Sequence, residues 1–267
     1  LIANYLIKKG FTAEILDAEA ENLTHEKTAE KIAQKNPKLA IFMVYGQQPS
    51  ASTQCMPGGK KTCLKLNEIT SNEIKSIVIG THASALPKKT LEEEPYTYVC
   101  QGEGPLTVIE LISFLKGKTK DLKKIPGLWY LDKDKKVCSN PSAKMFEDLD
   151  QNLPGQAWKL LDMKKYKAHN WHTFGKLDTI KSYASLQTSL GCPFKCTFCC
   201  INAPFERNTI RFWSPKHIVE QIKILVEDYK ITNIKIPDEM FVLNPKQVTG
   251  ICDEIINSGY GKVLNFW

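Results

Sequence analysis

Leu39 to Tyr45 (LAIFMVY) is a nearly continuous apolar run. Such a run marks a strand covered on both faces, and strands of that kind belong to parallel sheets flanked by helices. Ser76 to Gly80 (SIVIG) repeats the pattern, and Tyr96 to Cys100 (YTYVC) is a shorter third strand. Helical spacing occupies the intervals. Leu1 to Lys9 is one helix, closed by Gly10; Thr24 caps another that runs through Ile32 to about Lys35; a third runs from about Pro105 to Leu115. Phe11 to Asp17 (FTAEILD) is expected to add a strand.

Alternation of this kind implies an α/β fold with a doubly wound parallel sheet, which binds ligands outside the carboxyl ends of its strands. Those ends carry Gly46, Gln47, Gln48, Pro49 and Ser50; then Gly80, Thr81 and His82; then Gly102, Glu103 and Gly104. Glycine and small polar residues there let a bulky ligand approach the backbone. Gly127 to Lys133, with Lys135 to Ser139, reads as a small hairpin turning at Asp132-Lys133-Asp134. From about Asn140 to Lys181 the chain is rich in proline and mixed charge, a connecting segment docked by Trp158, Leu160 and Leu161. A second strand–helix pattern then begins: a strand from Tyr183 to Thr188, a helix opened by Ser214-Pro215 and running to about Tyr229, and a strand from Asn233 to Pro237. Asp238 and Glu239 follow that strand, then a helix from about Pro245 to Asn257 and a last strand starting at Val263. The expected division is 1–139 as a doubly wound α/β domain, 140–181 as linker and 182–267 as the second domain.

Length and composition agree: 267 residues suffice for about two ordinary domains. No apolar run approaches the roughly 18 residues of a spanning helix, and no signal peptide opens the chain, so a cytoplasmic location and no membrane partner are expected. The net charge of +7 is mostly scattered lysine, densest from Lys116 to Lys124, without the interleaved arginines and aromatics of a nucleic-acid surface. Nine cysteines, four of them within nine residues, argue for a metal in a reducing environment rather than a disulfide framework.

Cys192, Cys196 and Cys199 form a C-x3-C-x2-C array directly after a strand. Iron–sulfur cubes usually take four cysteines, so three leave one iron open to bind and activate a substrate. The rival metal is zinc, which wants four ligands. Cys200 is poorly placed beside Cys199, and His169, His172 and His217 stand at no zinc-finger spacing. Cys55, Cys63, Cys100, Cys138 and Cys252 are isolated.

Gly191 to Phe205 (GCPFKCTFCCINAPF), with Asp238-Glu239-Met240-Phe241, resembles the radical S-adenosylmethionine proteins that carry an amino-terminal cobalamin-binding domain. Gly80 to Pro87 (GTHASALP), Gln101 to Pro105 (QGEGP) and Ile125 to Tyr130 (IPGLWY) resemble that domain and its exit. The resemblance implies a Rossmann-like cobalamin domain followed by the first part of a partial (β/α)6 barrel of TIM type. It implies that Cys192, Cys196 and Cys199 hold a [4Fe–4S] cluster whose unique iron chelates S-adenosylmethionine. Phe198 would lie against the adenine, and Asp238 and Glu239 would meet the methionine ammonium. The glycine loops named above would hold cobalamin. The implied chemistry is reductive cleavage to a 5′-deoxyadenosyl radical, with methyl transfer to an unactivated carbon of a small molecule and an electron donor such as flavodoxin or ferredoxin.

This sequence lacks the D-x-H-x-x-G by which many cobalamin domains ligate cobalt, so His82 is not expected to be the lower ligand. The pattern also implies truncation at both ends: the first strand of the cobalamin domain and the later barrel strands are missing, and the piece would be inactive alone. Two other functions fit parts of the pattern. One is a methylthiotransferase with a second cluster on Cys55, Cys63 and Cys100; the other is a non-catalytic cobalamin-binding sensor.

Overall fold

A computed structural model describes residues 1–45, 49–119, 121–167 and 182–267, without the side chains of 49–51. In chain order the regular elements are α1 (Ile2–Lys8), α2 (His25–Lys35), β1 (Ala40–Val44), α3 (Pro49–Ile69), β2 (Ser76–Gly80), α4 (Thr81–Ala85), α5 (Pro87–Glu93), β3 (Tyr98–Cys100) and α6 (Pro105–Leu115). They continue with β4 (Leu128–Leu131), β5 (Val137–Ser139), α7 (Leu149–Asn152), β6 (Tyr183–Ser185), β7 (Ser189–Gly191), β8 (Ile210–Phe212), α8 (Pro215–Glu227), β9 (Asn233–Lys235), α9 (Pro245–Asn257) and β10 (Asn265–Phe266). Packing groups them into two units, one of residues 22–145 with 193–209, the other of 1–21 with 146–192 and 210–267.

The unit of residues 22–145 and 193–209 is built on a five-stranded mixed sheet in the order β1-β2-β3-β4-β5. β1, β2 and β3 run parallel, with Ala40 opposite Ser76 and Ile77 opposite Tyr98. The expected hairpin is present, but it extends this sheet: β4 pairs antiparallel with β3, and β5 with β4. Its turn is made by Asp132, whose Oδ1 accepts from the amides of Asp134 and Lys136 at 2.9 and 2.8 Å. Every residue of β2 is buried, as its unbroken apolar run requires. The sheet packs through Val44, Val78 and Val99 against Met56 and Cys63 of α3 and Leu91 of α5. Thr24 caps α2 as expected, its side chain accepting from the Lys27 amide.

Helix α3 was not legible beforehand, because Pro57, Gly58 and Gly59 lie in its middle. Tertiary packing overrides their poor propensity: a Cβ on Gly59 would stand 2.5 Å from the Tyr96 hydroxyl, so close approach of α3 to the buried Tyr96 needs glycine. The strand expected over Phe11 to Asp17 is not one. That stretch is irregular, and Phe11 donates its amide back to the Leu6 carbonyl at 3.0 Å, closing the end of α1. Ile15 is exposed, and among the described residues no strand pairs with the segment.

The other unit holds a three-stranded parallel sheet, order β10-β9-β6, joined by the helices α8 and α9. This is a β/α succession, with Ser214 capping α8 by accepting from the His217 amide and Asn244 capping α9. The strand expected from Tyr183 to Thr188 breaks after Ser185. The chain resumes as β7, which pairs antiparallel with β8, Gly191 opposite Ile210. The cysteine loop is therefore the long connection of a hairpin. Trp158 is buried, as expected of the connecting segment, while His169 and His172 lie outside the described residues.

Candidate cofactor loops and cysteine loop

Because β1, β2 and β3 are parallel, their carboxyl ends share one edge of the sheet. Gly46 and Gln47 of the first loop, and the side chain of Ser50, lie outside the described residues. The next turn of α3 supplies Ser52, which is fully buried; its Oγ donates to the Val44 carbonyl at 2.5 Å and accepts from the His82 amide at 3.0 Å. Thr53 bonds His82 Nδ1 at 2.9 Å, and burial lowers the His82 pKa. Gly80 and Thr81 are buried where β2 runs into α4. Gly102 and Gly104 adopt φ of +134° and +101°, which a side chain would strain, and the Gly102 amide donates to Ser84 Oγ at 3.2 Å. Ser52, Thr53 and Ser84, which the sequence does not single out, hydrogen-bond these strand ends.

The segment after the cysteines belongs to the same unit. A 3-10 turn, Ala203–Phe205, packs on α4, and the Pro204 carbonyl lies 3.9 Å from where a Cβ on Gly102 would stand. Glu206, in a left-handed conformation, accepts from Ser142 Oγ. Asn202 braces the loop, donating to Asn208 Oδ1 at 2.9 Å. Segment 193–209 is therefore anchored at the carboxyl edge that carries the glycine loops.

Cys192 is buried at the end of β7, Cys196 is exposed, and Cys199 is half-buried and donates its amide to the Cys196 carbonyl. No disulfide joins any of the nine cysteines. Among the described residues no three His, Cys, Asp or Glu side chains converge as a metal centre. The thiols nonetheless fit an iron–sulfur cluster by donor type and spacing, and no helix or strand between Pro193 and Cys200 holds them apart. At Cys200, burial and then the neighbouring Cys199 push the thiol up, which disfavours its thiolate. Phe198 is 91% exposed, a bare ring on the loop.

Asp238 and Glu239, beyond β9, are unlike each other. Asp238 Oδ1 accepts from the Thr188 amide at 2.9 Å, and Oδ2 accepts from Thr188 Oγ1 and Ser189 Oγ, each at 2.6 Å. Burial raises the Asp238 pKa, and these hydrogen bonds offset part of that rise. Glu239 is exposed and makes no hydrogen bond among the described residues; partial desolvation and then the charge of Asp238 raise its pKa.

No protein-family model matches the chain. It is 29% identical over 255 residues to an uncharacterized methyltransferase of Pyrococcus horikoshii, covering 95% of this chain and 51% of that protein. It is 26% identical over 264 residues to the anaerobic magnesium-protoporphyrin IX monomethyl ester cyclase of Rubrivivax gelatinosus, covering 97% and 44%. Among solved structures it superposes on the radical S-adenosylmethionine methyltransferase TsrM of Kitasatospora setae, there with tryptophan and an S-adenosylmethionine analogue, with a TM-score of 0.72 at 16% identity, covering 100% of this chain and 50% of that one. The cobalamin-dependent S-adenosylmethionine radical enzyme OxsB gives 0.71 at 20% identity, covering 99% and 34%. The chain spans about half the length, or less, of these proteins. It is related in sequence to that methyltransferase and that cyclase, and it shares the fold of the matching part of those two solved enzymes.

Proposed function

We propose that the protein is a cobalamin-dependent radical S-adenosylmethionine enzyme of the methyltransferase class, acting on an unactivated carbon of a small molecule. The observation that carries this reading is the anchoring of segment 193–209, with Cys196 and Cys199, at the carboxyl edge that presents Gly80, Thr81, His82, Gly102, Glu103 and Gly104. Relatives named as a methyltransferase and as radical enzymes support it. Cys192, Cys196 and Cys199 would hold a [4Fe–4S] cluster, which supplies the electron for cleaving the sulfonium carbon–sulfur bond. The exposed Glu239 would receive the ligand's ammonium through charge-assisted hydrogen bonds, and Phe198 would cover the adenine. Gly46, Gln47, Ser50 and the two further glycine loops would hold cobalamin. The domains are proposed as 1–139 for cobalamin, 140–181 as linker and 182–267 for the radical chemistry. The electron would come from a flavodoxin or ferredoxin, and nine cysteines without a disulfide suit a cytoplasmic setting.

The methylthiotransferase reading loses its support. Cys63 Sγ lies 3.6 Å from Ser76 Oγ at the amino end of β2, whereas Cys100 ends β3 alongside Ile79. Those strand positions lie about 10 Å apart along β2, which does not favour a cluster shared by the two thiols.

Full-length protein purified and reconstituted without oxygen should hold about four irons, show a cubane spectrum, and yield 5′-deoxyadenosine from S-adenosylmethionine. Alanine at Cys192, Cys196 or Cys199 should abolish all three, and alanine at Cys200 none of them. Bound zinc, or cobalamin retention with no 5′-deoxyadenosine, overturns the reading, the latter in favour of a sensor.

A further inference from the structure

The two adjacent carboxylates look interchangeable in sequence, yet their surroundings divide them. β6 stops at Ser185, and the chain must then turn to place β7 and its last residue before Cys192. What holds that turn is a carboxylate from the neighbouring strand's far end, 50 residues on: Asp238 gathers one amide and two hydroxyls of Thr188 and Ser189. Thr188 and Ser189 are 1% and 5% exposed, so their donors have no water to turn to if the acceptor is lost. The Thr188 carbonyl in turn accepts from the Trp213 amide at 3.1 Å, just past β8, so one residue is tied to both sides of the hairpin base. Hydrogen bonds to a carboxylate are among the stronger ones a chain makes with itself.

We propose that Asp238 is a positioning residue, a latch that fixes Thr188 and Ser189 and so the strand delivering Cys192, and that Glu239 alone is the carboxylate left to meet a cationic ligand. The role assigned to Glu239 rests on the cofactor reading above; the latch does not.

The test uses full-length protein and four variants: Asp238→Ala, Asp238→Asn, the pair Thr188→Val with Ser189→Ala, and Glu239→Gln. In metal-free protein, alkylation of Cys192 by iodoacetamide, followed by peptide mass spectrometry, reports how often β7 opens. Cys192 is 8% exposed and should react slowly in the wild type. Asp238→Ala and the Thr188/Ser189 pair should each speed its alkylation by roughly tenfold or more. Asp238→Asn, which keeps an acceptor oxygen, should fall between. Glu239→Gln should leave Cys192 protected and iron content normal, while weakening S-adenosylmethionine binding by roughly tenfold. Cys192 remaining protected in Asp238→Ala overturns the latch, as does exposure of Cys192 in Glu239→Gln. Should Asp238→Ala not fold, the other variants decide. A wild type without a cubane cluster sinks the cofactor reading, while the alkylation rates still judge the latch.

Discussion

A hydrogen atom in place of a methyl group at position 80 decides whether β1 and β2 can lie side by side at their carboxyl ends, because a Cβ there would collide with the Val44 carbonyl oxygen. That oxygen is already engaged by the buried Ser52 hydroxyl, so neither partner can step aside. Gly80→Ala should therefore cost about 2–4 kcal/mol; a urea midpoint unchanged within error would contradict the packing. Buried thiols give a second expectation. Burial pushes Cys63 and Cys100 from the ordinary 9.0 up to about 11, so the folded state favours their neutral forms. The stability they contribute is complete below about pH 9 and is lost as pH rises through 11. The melting temperature should fall across that window, and at pH 8 exposed Cys55 should be alkylated well before either. Equal rates for all three would refute it. At this scale the sequence offers candidate residues but not how they divide the work. The Asp238-Glu239 pair was visible, but its asymmetry depends on Thr188 and Ser189, 50 and 49 positions away.

Among elements, α8 was readable because its signals are local: Ser214 at the cap, Pro215 at the first turn, and a buried stripe of Ile218, Ile222 and Leu225. Ser214→Ala removes the acceptor for the His217 amide, a 3.2 Å bond, and should lower stability by about 1 kcal/mol. Thermal melts of that variant beside Ser214→Asp, which keeps an acceptor, check it: equal losses in both would deny the cap. Where the deciding contact is distant, reading failed. Phe11 to Asp17 has a strand's alternation, but a strand exists only through a neighbouring strand, and among the described residues no strand ladders with it. Helix α3 carries a proline and two glycines, yet Tyr96 turns Gly59 from a breaker into a packing requirement. The hairpin β7–β8 is hidden for a related reason: 18 residues, from 192 to 209, separate partners that recognise each other only once the loop has folded.

For the molecule as a whole, the question is whether the carboxyl edge is a cofactor face or merely where strands stop. Glycines at strand ends are common, so the sequence alone could not choose. The structure adds a second set of facts: Ser52, Thr53 and Ser84 position the loops from behind, and the turn Ala203–Phe205 closes on α4 beside them. If the face binds cobalamin by shape and backbone contact, the effects of substitution should follow space rather than charge. Gly102→Val would strain a φ of +134° and add bulk at the edge, and it should abolish cobalamin retention while leaving iron at about four per chain. His82→Ala should matter little. Its Nδ1 is spent on Thr53, and losing that one hydrogen bond is worth about 1 kcal/mol, or roughly a fivefold change in affinity. Absorbance of cobalamin retained through gel filtration measures both. A hundredfold loss in His82→Ala would make the imidazole a cobalt ligand, and full retention in Gly102→Val would move the cofactor off this edge altogether.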